Sequence, residues 1–186
     1  MTIYSKRNMT KHVAVLFFVA FMSMHSIAQV SERKGKCSCS VLIAPEFKGE
    51  INLLTAPGGK LKKTLKHNFK KEDFVILDVK EWSGDFIYVS ANYSFNGTIG
   101  KGWVKMNNAI GIYTRNYDPK DSLVLYSTPN TSSKKNFIIK KYTSKLWKVT
   151  GCQGVWLRVQ MKDGNIQYQG WVQPDMQCAS PYTTCN

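Results

Sequence analysis

From residue 29 onward the apolar positions of this chain follow a period of two. Phe74-Val75-Ile76-Leu77, Phe86-Ile87-Tyr88-Val89 and Lys101-Gly102-Trp103-Val104-Lys105 alternate or run apolar over four to six residues, with β-branched and aromatic types enriched. That pattern predicts strands. Between them stand Pro57-Gly58-Gly59, Trp82-Ser83-Gly84-Asp85, Asn96-Gly97, Pro129-Asn130 and Asp163-Gly164-Asn165. Each is a turn signal whose Gly or Asn takes positive φ at low steric cost. No stripe of 3.6-residue period interrupts the series. Short strands punctuated this way predict an all-β chain built as a small barrel or sandwich.

The chain also repeats itself. At a shift of about 70 residues, Val79-x-x-Trp82-x-Gly84-x-Phe86-Ile87-x-Val89 falls on Val149-x-x-Cys152-x-Gly154-x-Trp156-Leu157-x-Val159. Gly102-Trp103-Val104 recurs as Gly170-Trp171-Val172, and Leu54-x-x-Pro57 as Tyr126-x-x-Pro129. One order of strand, turn, strand and strand occurring twice at this spacing means two copies of a single supersecondary plan, since solenoid periods are shorter.

This order resembles the bacterial Src-homology-3-like (SH3-like) domain: a Pro-containing first turn, an apolar strand, a Gly-aromatic-aliphatic-x-Val strand and a Gly-Trp-Val strand. The resemblance covers roughly residues 48–175 and implies two tandem small SH3-like β-barrels, at 48–115 and 121–175. Residues 29–47 then form an N-terminal arm and residues 176–186 a C-terminal tail. Two features depart from the family pattern, residues 91–101 as a long insertion before the first closure and the Cys-containing tail. The tail resembles the ending of exported proteins of the Bacteroidetes. What the family resemblance implies is a non-catalytic targeting or scaffolding role beside the cell wall.

The first residues read as an address. Lys6, Arg7 and Lys11 precede an apolar run from Val13 to Met22, and Ser26-Ile27-Ala28 supplies the small residues of a signal-peptidase site. A signal peptide over residues 1–28 and an exported chain, periplasmic or secreted, are expected. The run is too short to span a bilayer, for which about 20 apolar residues are needed. All five cysteines (Cys37, Cys39, Cys152, Cys178 and Cys185) lie beyond it. In an oxidising compartment they are expected to pair. Cys178 and Cys185 are close enough for a local loop, Cys152 is left for Cys37 or Cys39, and one cysteine stays odd. A metal site on Cys37-x-Cys39 lacks the paired CxxC spacing of zinc modules, so neither metal nor cofactor is expected.

Charge and alternation then narrow the chemistry. Lys plus Arg total 26 against 12 Asp plus Glu, a formal charge of +14. From Ser122 to Lys162 no acidic residue appears, while Lys140, Lys141, Lys148 and Arg158 all do. Anionic partners are favoured, and export makes nucleic acid an improbable one despite nonspecific attraction in low salt. Strand alternation puts Ile87 and Val89, or Leu157 and Val159, on one face. Phe86 and Tyr88, or Trp156 and Arg158, therefore point the other way, as a ligand face of aromatics beside a cation or as packing against a neighbouring barrel. Trp103 and Trp171 read as structural barrel positions. His67 is the only imidazole beyond the leader, in a Lys-rich stretch that disfavours an imidazolium. A hydrolase is therefore not expected. The sequence points to a binding module for peptidoglycan or another anionic glycan or peptide, through Phe86, Tyr88, Trp156, Arg158, Lys140 and Lys141. The alternative is a protein partner, an inhibitor or envelope assembly factor, using the surface between the barrels.

Overall fold

The computed structural model describes residues 34–117, 121–183 and 185. The expected signal peptide lies outside them. The described chain is all-β, as the period-two pattern predicts. Its strands are β1 (Lys34–Ile43), β2 (Ile51–Leu54), β3 (Leu61–Leu65), β4 (Val75–Ser83), β5 (Phe86–Tyr93), β6 (Gly97–Lys105) and β7 (Ile110–Thr114). There follow β8 (Leu123–Tyr126), β9 (Lys135–Ile139), β10 (Trp147–Gln153), β11 (Trp156–Asp163), β12 (Ile166–Val172) and β13 (Gln177–Cys178). Two single 3-10 turns, Phe69–Lys71 and Pro174–Met176, complete the described elements.

The strand ladders are antiparallel and form one sheet in the order β3-β2-β6-β5-β4-β1-β7-β10-β11-β12-β8-β9, with β13 added on β7. That order reads almost the same from either end. Counting outward from the β1–β7 pair, β4, β5, β6, β2 and β3 on one side answer β10, β11, β12, β8 and β9 on the other. The repeat found in the sequence therefore has a structural counterpart, with β1 and β7 as corresponding strands at its centre. Leu42 pairs with Gly111 and Ile43 with Ile110 across that centre. The sheet path is open, ending at β3 and β9, so main-chain pairing runs without a break from one copy into the other. The segment expected to be an arm is β1, paired to β4 from Lys34 to Leu42.

Local details repeat with the sequence. A β-bulge falls between Val79 and Glu81 in β4 and between Val149 and Gly151 in β10. Each following hairpin turns at a glycine in the left-handed region, Gly84 at φ 55 and Gly154 at φ 57, where a Cβ is disfavoured. The glycine before each Gly-Trp-Val tryptophan has another cause. A Cβ on Gly102 would stand 2.6 Å from the Leu54 carbonyl oxygen, and one on Gly170 2.9 Å from that of Tyr126. β6 and β12 thus approach β2 and β8 too closely for any side chain. Residues 91–101, expected as an insertion, are the ends of β5 and β6 and their turn, Tyr93 pairing with Gly97.

One core runs through both copies. Leu53, Leu77, Ile87, Val89 and Val104 in the first, and Leu125, Trp147, Leu157, Val159 and Val172 in the second, are essentially sealed from solvent. Burying such a side chain contributes roughly 1.5–3 kcal/mol. Two disulfides staple this frame. Cys37–Cys152 joins β1 to β10 across 115 residues, and Cys178–Cys185 closes the tail. Cys39, counted among the disulfide candidates, is a free thiol. With Cys37 committed to a disulfide, Cys37-x-Cys39 offers no thiolate pair for a metal.

Candidate functional site

Where the two copies meet, side chains from both line a groove. Two adjoining cavities of about 300 and 250 Å³ share Trp82, Thr150 and Arg158. Trp82 comes from the end of β4 in the first copy. Lys148 and Thr150 come from β10, Arg158 from β11 and Trp171 from β12, all by alternation with buried Val149, Leu157 and Val172. Period two thus delivers one row of side chains to the core and the next row to the groove.

Arg158 is built into its place. Its register partners are Gly151 on β10 and Trp171 on β12. A Cβ on Gly151 would stand 3.3 Å from the Arg158 Cβ and 3.9 Å from the far edge of the Trp171 ring. The missing side chain lets the arginine stem and the indole share one strip of surface. In the first copy the corresponding strand position is Glu81 opposite Tyr88, so the geometry belongs to the second copy alone. The Trp82 indole N–H donates to the Gly84 carbonyl at 2.7 Å, and the residue is only 4% exposed, part of the core as well as of the groove lining.

The electrostatics are one-sided. Lys34, Lys148 and Arg158 line the two cavities against a single carboxylate, Asp85. Among the described residues the ion pairs are Lys66–Glu50 and Lys145–Asp163, so the Arg158 guanidinium has no carboxylate of its own. A planar guanidinium presents a fork of N–H donors that matches a carboxylate or phosphate in two-point contact. Tryptophan beside it supplies a flat apolar surface with limited entropy cost. The arrangement can grip an anionic group while an adjoining ring or chain lies on indole.

Of the six residues the sequence singled out, Arg158 alone lines this groove. Phe86 lines a separate cleft of about 390 Å³ with Leu54 and Lys105. Tyr88 leans on Trp103, ring centres 5.5 Å apart. Trp156 meets Tyr126 in a T-shaped contact, ring centres 5.7 Å apart, packing within its own copy. Lys140 and Lys141 are exposed beyond the end of β9, and the Lys141 carbonyl accepts the Tyr117 hydroxyl at 2.8 Å. Trp82, Lys148 and Trp171 also line the groove but are not among those six: the sequence reads Lys148 only as part of the basic stretch and Trp171 as a barrel position. Trp171 was readable, because its alternation with a buried Val172 sends it outward.

Other chemistry-bearing groups are occupied structurally. The Val75 N–H donates to His67 Nδ1 at 3.0 Å, and Nε2 lies 3.0 Å from the Ala44 carbonyl. The ring is therefore the neutral Nε2–H tautomer bridging the end of β1 to β4, with neither nitrogen free. Lys62 and Lys63 on the edge strand β3 donate to the carbonyls of Lys101 and Ile99 at 2.8 and 3.0 Å. Part of the basic stretch thus guards a sheet edge, a common use of lysine. Comparison of the chain with protein-family models, with curated proteins and with solved structures found no match in any of the three.

Proposed function

We propose that the chain is an exported, non-catalytic binding module of two SH3-like units, and that it holds an anionic glycan or peptide ligand, foremost peptidoglycan, in the groove around Arg158. One observation carries the reading: a guanidinium without an acidic partner among the described residues, beside Trp171 in a cleft where cations outnumber carboxylates three to one. The mirrored strand order supports the two-unit description. Two disulfides favour an oxidising compartment.

The test is retention of the purified chain on protein-free peptidoglycan sacculi across a salt series. Specific binding persists at about 0.5 M salt, where the Debye length is about 4 Å. It is lost in Arg158→Ala and kept when Lys140 and Lys141 are both changed to Glu. Retention that fades with salt, or survives Arg158→Ala, overturns the reading. Capture of a single envelope protein in its place moves the groove to protein recognition.

A further inference from the structure

A second pocket lies beside the C-terminal disulfide loop. β13 ties the start of the loop to β7, Gln177 pairing with Thr114 and Cys178 with Tyr113. Inside the loop the Ser180 hydroxyl accepts the N–H groups of Tyr182 and Thr183, both at 3.3 Å. Tyr182 is then held from outside. Its hydroxyl donates to the Glu72 carbonyl at 2.5 Å, its ring stacks on Phe95 at 5.1 Å, and Phe74 meets it at 5.5 Å in an edge contact. The disulfide loop thus delivers a fixed aromatic wall.

The pocket it walls measures about 220 Å³ and is completed by Tyr113, Tyr142, Ser144 and Pro181. Among the described residues no charged side chain lines it. The hydroxyls of Tyr113, Tyr142 and Ser144 have no hydrogen-bond partner among the described residues. A hydroxyl both donates and accepts, which matches the hydroxyls of a sugar, and flat rings match its C–H face. Among the described lining residues a carboxylate or phosphate would find no cation. Burial and the nearby Glu46 charge push the Tyr113 hydroxyl above its ordinary range, so it remains a donor at neutral pH.

We propose that this tyrosine pocket is a carbohydrate site taking one uncharged pyranose ring of a glycan chain. It does not rest on the Arg158 groove. The experiment titrates the disulfide-intact chain with cellotetraose and with chitotetraose, read by amide NMR shifts. Both sugars are uncharged, so the expected shifts at Tyr113, Tyr142 and Tyr182 are indifferent to salt and to Arg158→Ala. Tyr142→Ala should weaken binding about tenfold, equivalent to about 1.4 kcal/mol. Tyr142→Phe keeps the ring that packs on Tyr117 and loses only the free hydroxyl, and should weaken it less. Absence of shifts with both sugars at millimolar concentration overturns the proposal. So does binding unchanged in both Tyr142 variants, or shifts at these residues produced only by a proline-rich peptide.

Discussion

The free sulfur of Cys39 lies 3.5 Å from the sulfur of Cys152, which is itself bonded to Cys37. A Cys39 thiolate attacking Cys152 would form the Cys39–Cys152 bond and release Cys37 as a thiolate, with no outside oxidant. Burial pushes the Cys39 thiol up to about 12, so near neutrality the attacking form is scarce and the observed pairing stands. The reserve thiol should show itself by mutation. Cys152→Ser removes a closure spanning 115 residues and should cost about 4–5 kcal/mol in the chain-entropy account. Cys37→Ser should cost clearly less, because Cys39 takes its place. Peptide mapping without reduction and urea unfolding read both, and a Cys37→Ser chain with Cys39 and Cys152 both free would defeat the argument.

His67 gives the fold a pH dependence of known sign. Burial lowers its pKa below the ordinary 6.5, with the Ala44 hydrogen bond and Glu46 opposing. Protonation would also set a hydrogen on Nδ1 against the Val75 N–H. Below about 6.5 the unfolded chain takes up a proton that the folded chain refuses, so folded stability falls with pH there. The contribution is complete above that pH and lost progressively as pH drops toward the folded value. Urea midpoints at pH 7.5 and 5.5 should fall more for the native chain than for His67→Gln. Equal falls would show that His67 is not the group responsible.

Close approach at the two Gly-Trp-Val sites makes a sharper forecast. Gly102→Ala and Gly170→Ala each force a methyl onto a backbone carbonyl oxygen and a leucine side chain. Either should destabilise by about 1–3 kcal/mol, the usual cost of overpacking. The three atoms nearest a Cβ at Gly151 are side-chain atoms of Arg158 and Trp171, none closer than 3.3 Å. Gly151→Ala should therefore leave the unfolding midpoint nearly unchanged while weakening retention on sacculi. Equal stability losses at all three glycines would mean that the groove glycine is structural as well.

These glycines also mark what could be read from sequence. The turns at Gly84 and Gly154, the buried row Ile87, Val89, Leu157 and Val159, and the repeat itself rest on local period and turn chemistry, which a linear pattern carries. The centre of the sheet does not. β1 finds its partners at Val75–Ser83 and Ile110–Thr114, tens of residues away, and nothing local in Lys34–Ile43 announces them. The groove fails for the same reason, since Trp82 and Arg158 meet only through the joining of two copies. Cys37 and Cys39 are equal candidates for Cys152 in the sequence, and the disulfide falls on Cys37, whose backbone also forms a parallel bridge with Gly154.

Asp73 supplies the last prediction, because it is buried and yet points its carboxylate at a turn. Its Oδ1 accepts the Phe95 N–H at 3.0 Å, and its Oδ2 accepts the Asn96 side-chain amide. Those two bonds shape the β5–β6 turn so that Phe95 stands 70% exposed, with Tyr182 stacked on it. Asp73→Ala strands the Phe95 N–H and should cost about 1–3 kcal/mol. It should also free the far wall of the tyrosine pocket, since Tyr182 loses the ring it lies on. Phe95→Ala separates the two effects: an exposed ring should cost little stability on removal but still release Tyr182. Fluorescence or NMR line widths at Tyr182, alongside unfolding midpoints, distinguish them. A Tyr182 environment unchanged in Phe95→Ala would show that the Glu72 and Phe74 contacts and the disulfide loop suffice to hold it.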